Sequence, residues 1–79
     1  MNTEEISENE NIFYITVNDW VSEGYTEVID NKHNLSATGK TEEIACEKLK
    51  EKIVEFYSGE IKKEDIEFIV EHYDTITSW

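Results

Sequence analysis

The sequence predicts an α+β fold of order βββαβ, in which a small antiparallel sheet carries one main helix on one face. Three observations lead to this class. Short segments rich in β-branched and aromatic residues, separated by turn residues, fill the first half of the chain. One amphipathic helical segment follows them. A second β-branched segment ends the chain, and a sheet with a helix on one face would bury the apolar sides of both.

The first half of the chain predicts three strands, at residues 12–17, 25–30 and 35–38. Side chains alternate between the two faces of a strand, and Phe13, Ile15 and Val17 are expected to form the core face of the first strand. Residues 18–24, which include Trp20, have the turn residues of a connecting loop. Residues 31–34 are predicted to be a polar hairpin tip.

The segment after Gly39 predicts a helix from Glu42 to about Ser58. Thr41 is placed to cap its N-terminus, because a hydroxyl there accepts a hydrogen bond from an unpaired first-turn N–H group. Gly59 is expected to close the C-terminus in a left-handed conformation. The apolar residues recur at three- and four-residue steps and form one stripe: Ala45, Cys46, Leu49, Ile53, Phe56 and Tyr57.

The last segment fits two patterns. Residues 66–73 match both helical and strand spacing, so an alternative order, βββαα, stays open at this point. Residues 75–79 are β-branched and lack a helical period, which favours a strand. In a strand, Glu67 and Glu71 would project together from one face.

Length and composition predict one domain, residues 12–79, preceded by a mobile acidic arm at residues 1–11. The single cysteine, Cys46, excludes a disulfide within the chain and favours a reducing compartment. The sequence has neither a signal peptide pattern nor an apolar run long enough to cross a bilayer. We therefore expect a cytoplasmic protein without a membrane partner.

Charge is the strongest functional signal in the sequence. Nineteen acidic residues oppose seven lysines, arginine is absent, and the formal net charge is -12. Such a surface repels DNA, RNA and anionic lipid, and it attracts a basic protein surface. High charge also keeps a small protein soluble without any further role, and the charge alone does not separate these two interpretations.

Residues 24–45 begin with Gly24-Tyr25 in a predicted strand and lead through a loop and a short strand to Gly39-Lys40-Thr41-Glu42-Glu43 at the start of the helix. In this order they resemble the HicB-like antitoxin fold. In that family a Gly-Tyr strand, a loop and a short strand lead into Gly-x-Thr-x-Glu-Ala at the start of a helix. Gly39, Thr41 and Glu43 occupy the matching places, whereas Ile44 stands where the family often has Ala. The loop also lacks the family's Pro-Asp-Leu-Pro-Gly. The resemblance covers less than half the chain and implies an antitoxin-like role.

The same strand, turn and helix also resemble part of a double-stranded-RNA-binding domain. This chain lacks the basic residues that the family has at the helix N-terminus, because Glu42 and Glu43 stand where phosphate-binding lysines would be. Binding to duplex RNA is therefore disfavoured.

The sequence predicts neither an enzyme nor a metal or cofactor site. Cys46 lies on the apolar stripe, which is typical of a buried, unreactive thiol. His33 and His72 lack the spacing of a metal motif. Gly39-Lys40-Thr41 is similar to the end of a phosphate-binding loop, but Asn34 stands where the upstream glycine is needed. The triplet is therefore interpreted as a turn followed by a helix cap.

Rows of acidic residues supply the candidate partner-binding site. Like charges four residues apart on a helix destabilise it slightly, so a retained row is consistent with a contact surface, although a solvated helix face is the simpler explanation. The five residues proposed as contacts are Glu43, Glu47, Glu51, Glu67 and Glu71.

These features together predict a non-enzymatic inhibitory protein. It would cover the basic surface of a nuclease or other nucleic-acid-binding protein, as an antitoxin or a phage-encoded DNA mimic such as an anti-CRISPR protein does. It would not bind nucleic acid itself. The alternative is a small structural protein that forms homo-oligomers, for example a homodimer, through its sheet edges or the apolar flank of its helix.

Overall fold

The computed structural model describes residues 11–77, and it confirms the α+β class, the single main helix and the order βββαβ. The strands form one sheet in the order β3-β2-β1-β4. Most of the predicted acidic arm, residues 1–10, and Trp79 lie outside the described residues. The elements are β1 (Ile12–Trp20), β2 (Tyr25–Asp30), β3 (Leu35–Gly39), helix α1 (Glu42–Phe56), a 3-10 turn (Lys63–Asp65) and β4 (Glu67–Ile76).

The first three strands pair antiparallel, as expected. Phe13, Ile15 and Val17 are buried, which confirms the predicted core face of β1. The prediction that Trp20 lies in a loop is wrong, because β1 continues to Trp20. Trp20 pairs with Tyr25 at the start of β2, and their rings stack with centroids 6.0 Å apart. This cross-strand pair extends the hairpin and shortens the connecting turn.

The last segment is a strand, β4, so the helical alternative is wrong. β4 pairs with β1 in parallel, which makes the sheet mixed and not wholly antiparallel. The reason lies in the connection through α1, because a helix that crosses the sheet returns the chain to the end at which the preceding strand began. β4 therefore runs in the direction of β3, which is also that of β1. The register between β1 and β4 shifts after Val70, where Glu71 forms a bulge.

Both ends of α1 are capped. Thr41 caps the N-terminus as predicted, since its Oγ1 accepts a hydrogen bond from Ile44 N at 3.2 Å. At the other end, Gly59 N donates to Val54 O at 2.8 Å and Ser58 N donates to Glu55 O at 3.0 Å. These two bonds define a Schellman motif. Gly59 has a positive φ, as expected, but Ser58 also does (φ 56°) and occupies the position that usually carries glycine.

The core lies between α1 and the sheet. Ala45, Leu49 and Ile53 are fully buried and face the core side of the sheet, whereas Phe56, predicted on the same stripe, is 54% exposed. The helix packs chiefly on β3 and β2. β4 therefore lies at an edge of the sheet, away from the two strands on which α1 chiefly packs.

Candidate functional site

The acidic row on α1 is only partly free. Glu43, Glu47 and Glu51 are all exposed. Lys63 Nζ lies 2.7 Å from Glu47 Oε1 and 3.1 Å from Glu51 Oε2, so one ammonium group bridges two of the three carboxylates. Its hydrogen bond lowers the pKa of Glu47, and the bond to Glu47, followed by the bond to Glu51, raises the pKa of Lys63. The row therefore presents less negative charge than its sequence suggests.

Glu67 and Glu71 lie on the other side of the sheet. Glu67 pairs with Ile12, which directly precedes the buried Phe13 in β1. Because side chains alternate along a strand, Ile12 and Glu67 lie on the face opposite the core. Glu71 Oε1 accepts a hydrogen bond from Asn31 Nδ2 at 2.8 Å, and Asn31 Oδ1 accepts one from Thr16 on that same side of β1. The five predicted contact residues therefore fall on two surfaces, and the structure does not bring them together.

The sheet surface that faces away from α1 is here called the open face. No helix or strand of residues 11–77 packs across it. The four strands contain no lysine and no arginine, so every charged side chain that they place on the open face, apart from a protonated His72, is acidic. Its main aromatic and acidic members are Tyr14, Trp20, Tyr25, Glu27, Glu67, Glu71 and Asp74.

Hydrogen bonds hold several open-face carboxylates in place. Glu27 Oε1 accepts hydrogen bonds from Trp20 Nε1 at 3.3 Å and from Asn18 Nδ2 at 3.5 Å. Asp74 Oδ2 lies 2.8 Å from His72 Nε2. Positioned carboxylates lose less side-chain freedom when a partner binds them. The open face is thus an acidic and aromatic surface on which several carboxylates are held by hydrogen bonds.

A chain of three polar side chains lies at the end of the sheet, and the sequence did not reveal it. Asp30 is fully buried, and its Oδ2 lies 2.7 Å from His33 Nδ1. His33 Nε2 in turn lies 2.7 Å from the Tyr57 hydroxyl oxygen. The buried carboxylate favours a proton on Nδ1, so in the neutral ring Nε2 accepts the hydrogen bond from Tyr57. We call this arrangement the Asp30–His33–Tyr57 chain.

His33 lies on the predicted hairpin tip, but its side chain is largely buried. Its ring centroid lies 4.9 Å from that of Phe56 and 5.8 Å from that of Phe13. One local signal was available in the sequence, since an aspartate at the start of a turn commonly accepts a hydrogen bond from the backbone two residues on. Asp30 Oδ1 does accept such a bond from Lys32 N at 3.0 Å. The contact between His33 and Tyr57 had no local signal.

A cavity of about 610 Å³ opens beside this chain. It forms because β1 extends beyond β2: Ile15 pairs with Asp30, the last residue of β2, so Ile12 and Phe13 have no β2 residue beside them. The hairpin tip and the segment after α1 form the remaining walls. The residues that line the cavity are Ile12, Phe13, Tyr14, Asp30, Asn31, Lys32, His33, Tyr57, Glu60, Ile61 and Glu71.

The other candidate residues have structural surroundings. Cys46 is half-buried, and desolvation, followed by the nearby Glu42 carboxylate, raises the pKa of its thiol. Gly39 packs tightly against the start of α1, because a Cβ there would lie 2.7 Å from Ala45 N. Within residues 11–77, no group of three or more His, Cys, Asp or Glu side chains is arranged to hold a metal ion.

Comparison with known proteins adds no further constraint. The chain matches no protein-family model, no curated protein and no solved structure. In the described part of the chain, the helices are too short or too polar to cross a membrane. The geometry and charge of the surfaces described above are therefore the basis for inferring a function.

Proposed function

We infer that this protein is a non-enzymatic, acidic binding protein that covers a basic, nucleic-acid-handling surface on another protein. The observation that carries this proposal is the open face, where fixed carboxylates and exposed aromatic rings share one side of a sheet without a lysine or arginine on its strands. Such a face is complementary to the arginine- and lysine-rich surfaces that bind nucleic acid. An antitoxin or a phage-encoded DNA mimic of the anti-CRISPR type would act in this way, in the cytoplasm.

The open face supports this role better than the row on α1. Lys63 bridges Glu47 and Glu51, and Lys48, Lys50 and Lys52 share the helix with them. On the open face, by contrast, Glu67 and Glu71 have no lysine on neighbouring strand positions. We therefore retain Glu67 and Glu71 as the central contacts, with Glu43, Glu47 and Glu51 as outer contacts that steer the approach of the partner.

Affinity capture from a nuclease-treated lysate tests the proposal. The open-face variant carries Glu67→Gln and Glu71→Gln, and the matched control carries Glu55→Gln on α1 and Glu64→Gln on the 3-10 turn, at exposed positions that are not among the proposed contacts. Both variants remove two negative charges. We expect the wild-type protein to capture a basic nucleic-acid-binding protein, the open-face variant to lose most of this capture, and the control to retain it.

Salt and nucleic acid provide two further readouts. Capture should weaken between about 0.1 M and about 1 M salt, where the Debye length falls from about 10 to about 3 Å. Added duplex DNA or RNA should displace the protein from its partner, since both would occupy one basic surface. Capture of no basic nucleic-acid-binding protein, or an equal loss in both variants, would overturn the proposal.

A structural homo-oligomer is the second candidate, and the exposed edge of β4 favours it. Val70 and Tyr73 are 43% and 52% exposed on the side that faces α1, and Ile69 is 39% exposed on the open face. An edge strand with unpaired backbone groups can pair with a second copy. Sedimentation equilibrium distinguishes the candidates, because a dimer held by this apolar edge would persist or strengthen at high salt, whereas the charge-driven complex would weaken.

A further inference from the structure

We propose that the cavity at the end of the sheet binds an alkylguanidinium group, the chemical group at the end of an arginine side chain. The proposal rests on the function inferred above for its biological source, because a basic partner surface supplies arginines. The cavity is continuous with the open face, since Tyr14 and Glu71 belong to both. An arginine that reaches past the edge of the open-face contact would therefore enter it.

The polar groups of the cavity are mainly hydrogen-bond acceptors. With the ring proton on Nδ1, His33 Nε2 accepts a hydrogen bond from the Tyr57 hydroxyl, so the Tyr57 oxygen keeps lone pairs for a further donor. The buried Asp30 carboxylate at the other end of the chain polarises these bonds and makes that oxygen a stronger acceptor. A guanidinium group offers five N–H donors and no acceptor, which matches this arrangement.

The charged residues that line the cavity favour a positively charged ligand. The carboxylates that line it are Asp30, Glu60 and Glu71, and Lys32 is the one lysine among the lining residues. Asp30 is already paired with His33, and Glu71 still has one oxygen beyond the one bonded to Asn31. Glu60 and Glu71 are exposed at the rim, where a carboxylate can bind a guanidinium group through two parallel hydrogen bonds.

The walls fit the rest of an arginine side chain. Ile12, Phe13 and Ile61 provide apolar surface for the methylene groups, and Tyr14 and Tyr57, which carry aromatic rings, are among the lining residues. A planar guanidinium stacks on such rings and gains a cation–π contribution, which a strongly hydrated ammonium group achieves less well. The volume of about 610 Å³ accommodates one such side chain together with water.

Nuclear magnetic resonance titration tests the inference with the protein alone. The probe is N-acetyl-arginine-N-methylamide, and the matched control ligand is the citrulline analogue, which has nearly the same shape without the charge. We expect saturable shifts of backbone amides around the cavity, at Phe13, His33, Tyr57 and Ile61, with an affinity at least about tenfold higher for the arginine compound. The lysine analogue should bind more weakly than the arginine compound.

Two variants locate the site. Tyr57→Phe removes only the hydroxyl at the end of the chain and should weaken binding several-fold, whereas Tyr73→Phe, on an exposed tyrosine outside the cavity, should not change it. The dispersion of the amide spectrum reports whether each variant is folded. Equal shifts with the citrulline analogue, shifts spread over the acids of α1, or equal effects of the two variants would overturn the inference.

The outcome is separable from that of the proposed function. If the arginine compound does not bind but capture of a basic partner still depends on Glu67 and Glu71, the cavity inference fails and the proposed function stands. If the compound binds, capture with the Tyr57→Phe variant identifies the source. A loss of capture assigns the guanidinium to the partner, and an unchanged capture assigns it to a free guanidinium compound. Either source supports the chemistry assigned to the cavity.

Discussion

The pairing of Asp30 with His33 makes a quantitative prediction about stability. Asp30 is fully buried and has two partners, Lys32 N at 3.0 Å and His33 Nδ1 at 2.7 Å. The substitution His33→Leu leaves Asp30 Oδ2 without its partner, and a buried carboxylate oxygen left without a hydrogen bond costs about 3 kcal/mol. A domain of this size has a free energy of unfolding of about 4–12 kcal/mol. His33→Leu should therefore remove a large part of the stability.

A double-mutant cycle separates the pairing from the loss of packing. Asp30→Leu alone should cost about 1–3 kcal/mol, since it leaves polar groups of His33 and Lys32 unpaired. The double variant, Asp30→Leu with His33→Leu, has neither the buried carboxylate nor the imidazole. It should be less destabilised than the sum of the two single variants by about 2 kcal/mol.

Urea unfolding followed by far-ultraviolet circular dichroism measures all four proteins of the cycle. The His33→Leu variant and the double variant both lose the contacts of the His33 ring with Phe13 and Phe56. These losses therefore largely cancel in the coupling energy. A coupling energy below about 0.5 kcal/mol, or a His33→Leu variant as stable as the wild type, would refute the reasoning.

Three further predictions concern single residues. Ser58→Gly should raise the free energy of unfolding by roughly 0.5–1 kcal/mol. It removes the strain of a non-glycine residue at positive φ, and the greater backbone entropy of glycine in the unfolded chain offsets part of this gain. A thermal midpoint below that of the wild type would contradict this. Since Lys63 lowers the pKa of Glu47, the pair stabilises the fold above the ordinary carboxyl pKa, and this contribution is lost as the pH falls through the lowered pKa. Glu47→Gln should therefore lower the thermal midpoint slightly at neutral pH but not in strong acid, and an equal effect at both would argue against the pair. Burial raises the pKa of Cys46, so iodoacetamide should alkylate the native thiol more slowly than the thiol in urea at mildly alkaline pH, and equal rates would exclude this protection.

Elements that depend on nearby residues were predictable. The alternation in β1 identified Phe13, Ile15 and Val17 as core, and the hydroxyl of Thr41 identified the start of α1. Each of these features depends on residues that are only a few positions apart in the sequence. The strand at the end of the chain was less predictable, because residues 66–73 fit both the helical and the strand period and only the β-branched residues after them favoured a strand.

The candidate sites were less predictable, because they depend on residues that are far apart in the sequence. Glu47 and Glu51 were correctly recognised as exposed acids, but their bridge to Lys63 comes from a segment that folds back along α1. Glu71 and Asn31 are 40 residues apart, and Tyr57 and His33 are 24 residues apart. No periodicity links such pairs.

The sequence alone determined the class of fold, the caps, the core face of β1 and the strongly acidic character of the chain, because propensity, periodicity and charge are local or summed properties. The tertiary structure decided that β4 runs parallel to β1 at the edge of the sheet, that the acids divide between two layers, and that Asp30, His33 and Tyr57 meet beside a cavity. These outcomes depend on how α1 crosses the sheet, and that crossing is set by long-range packing.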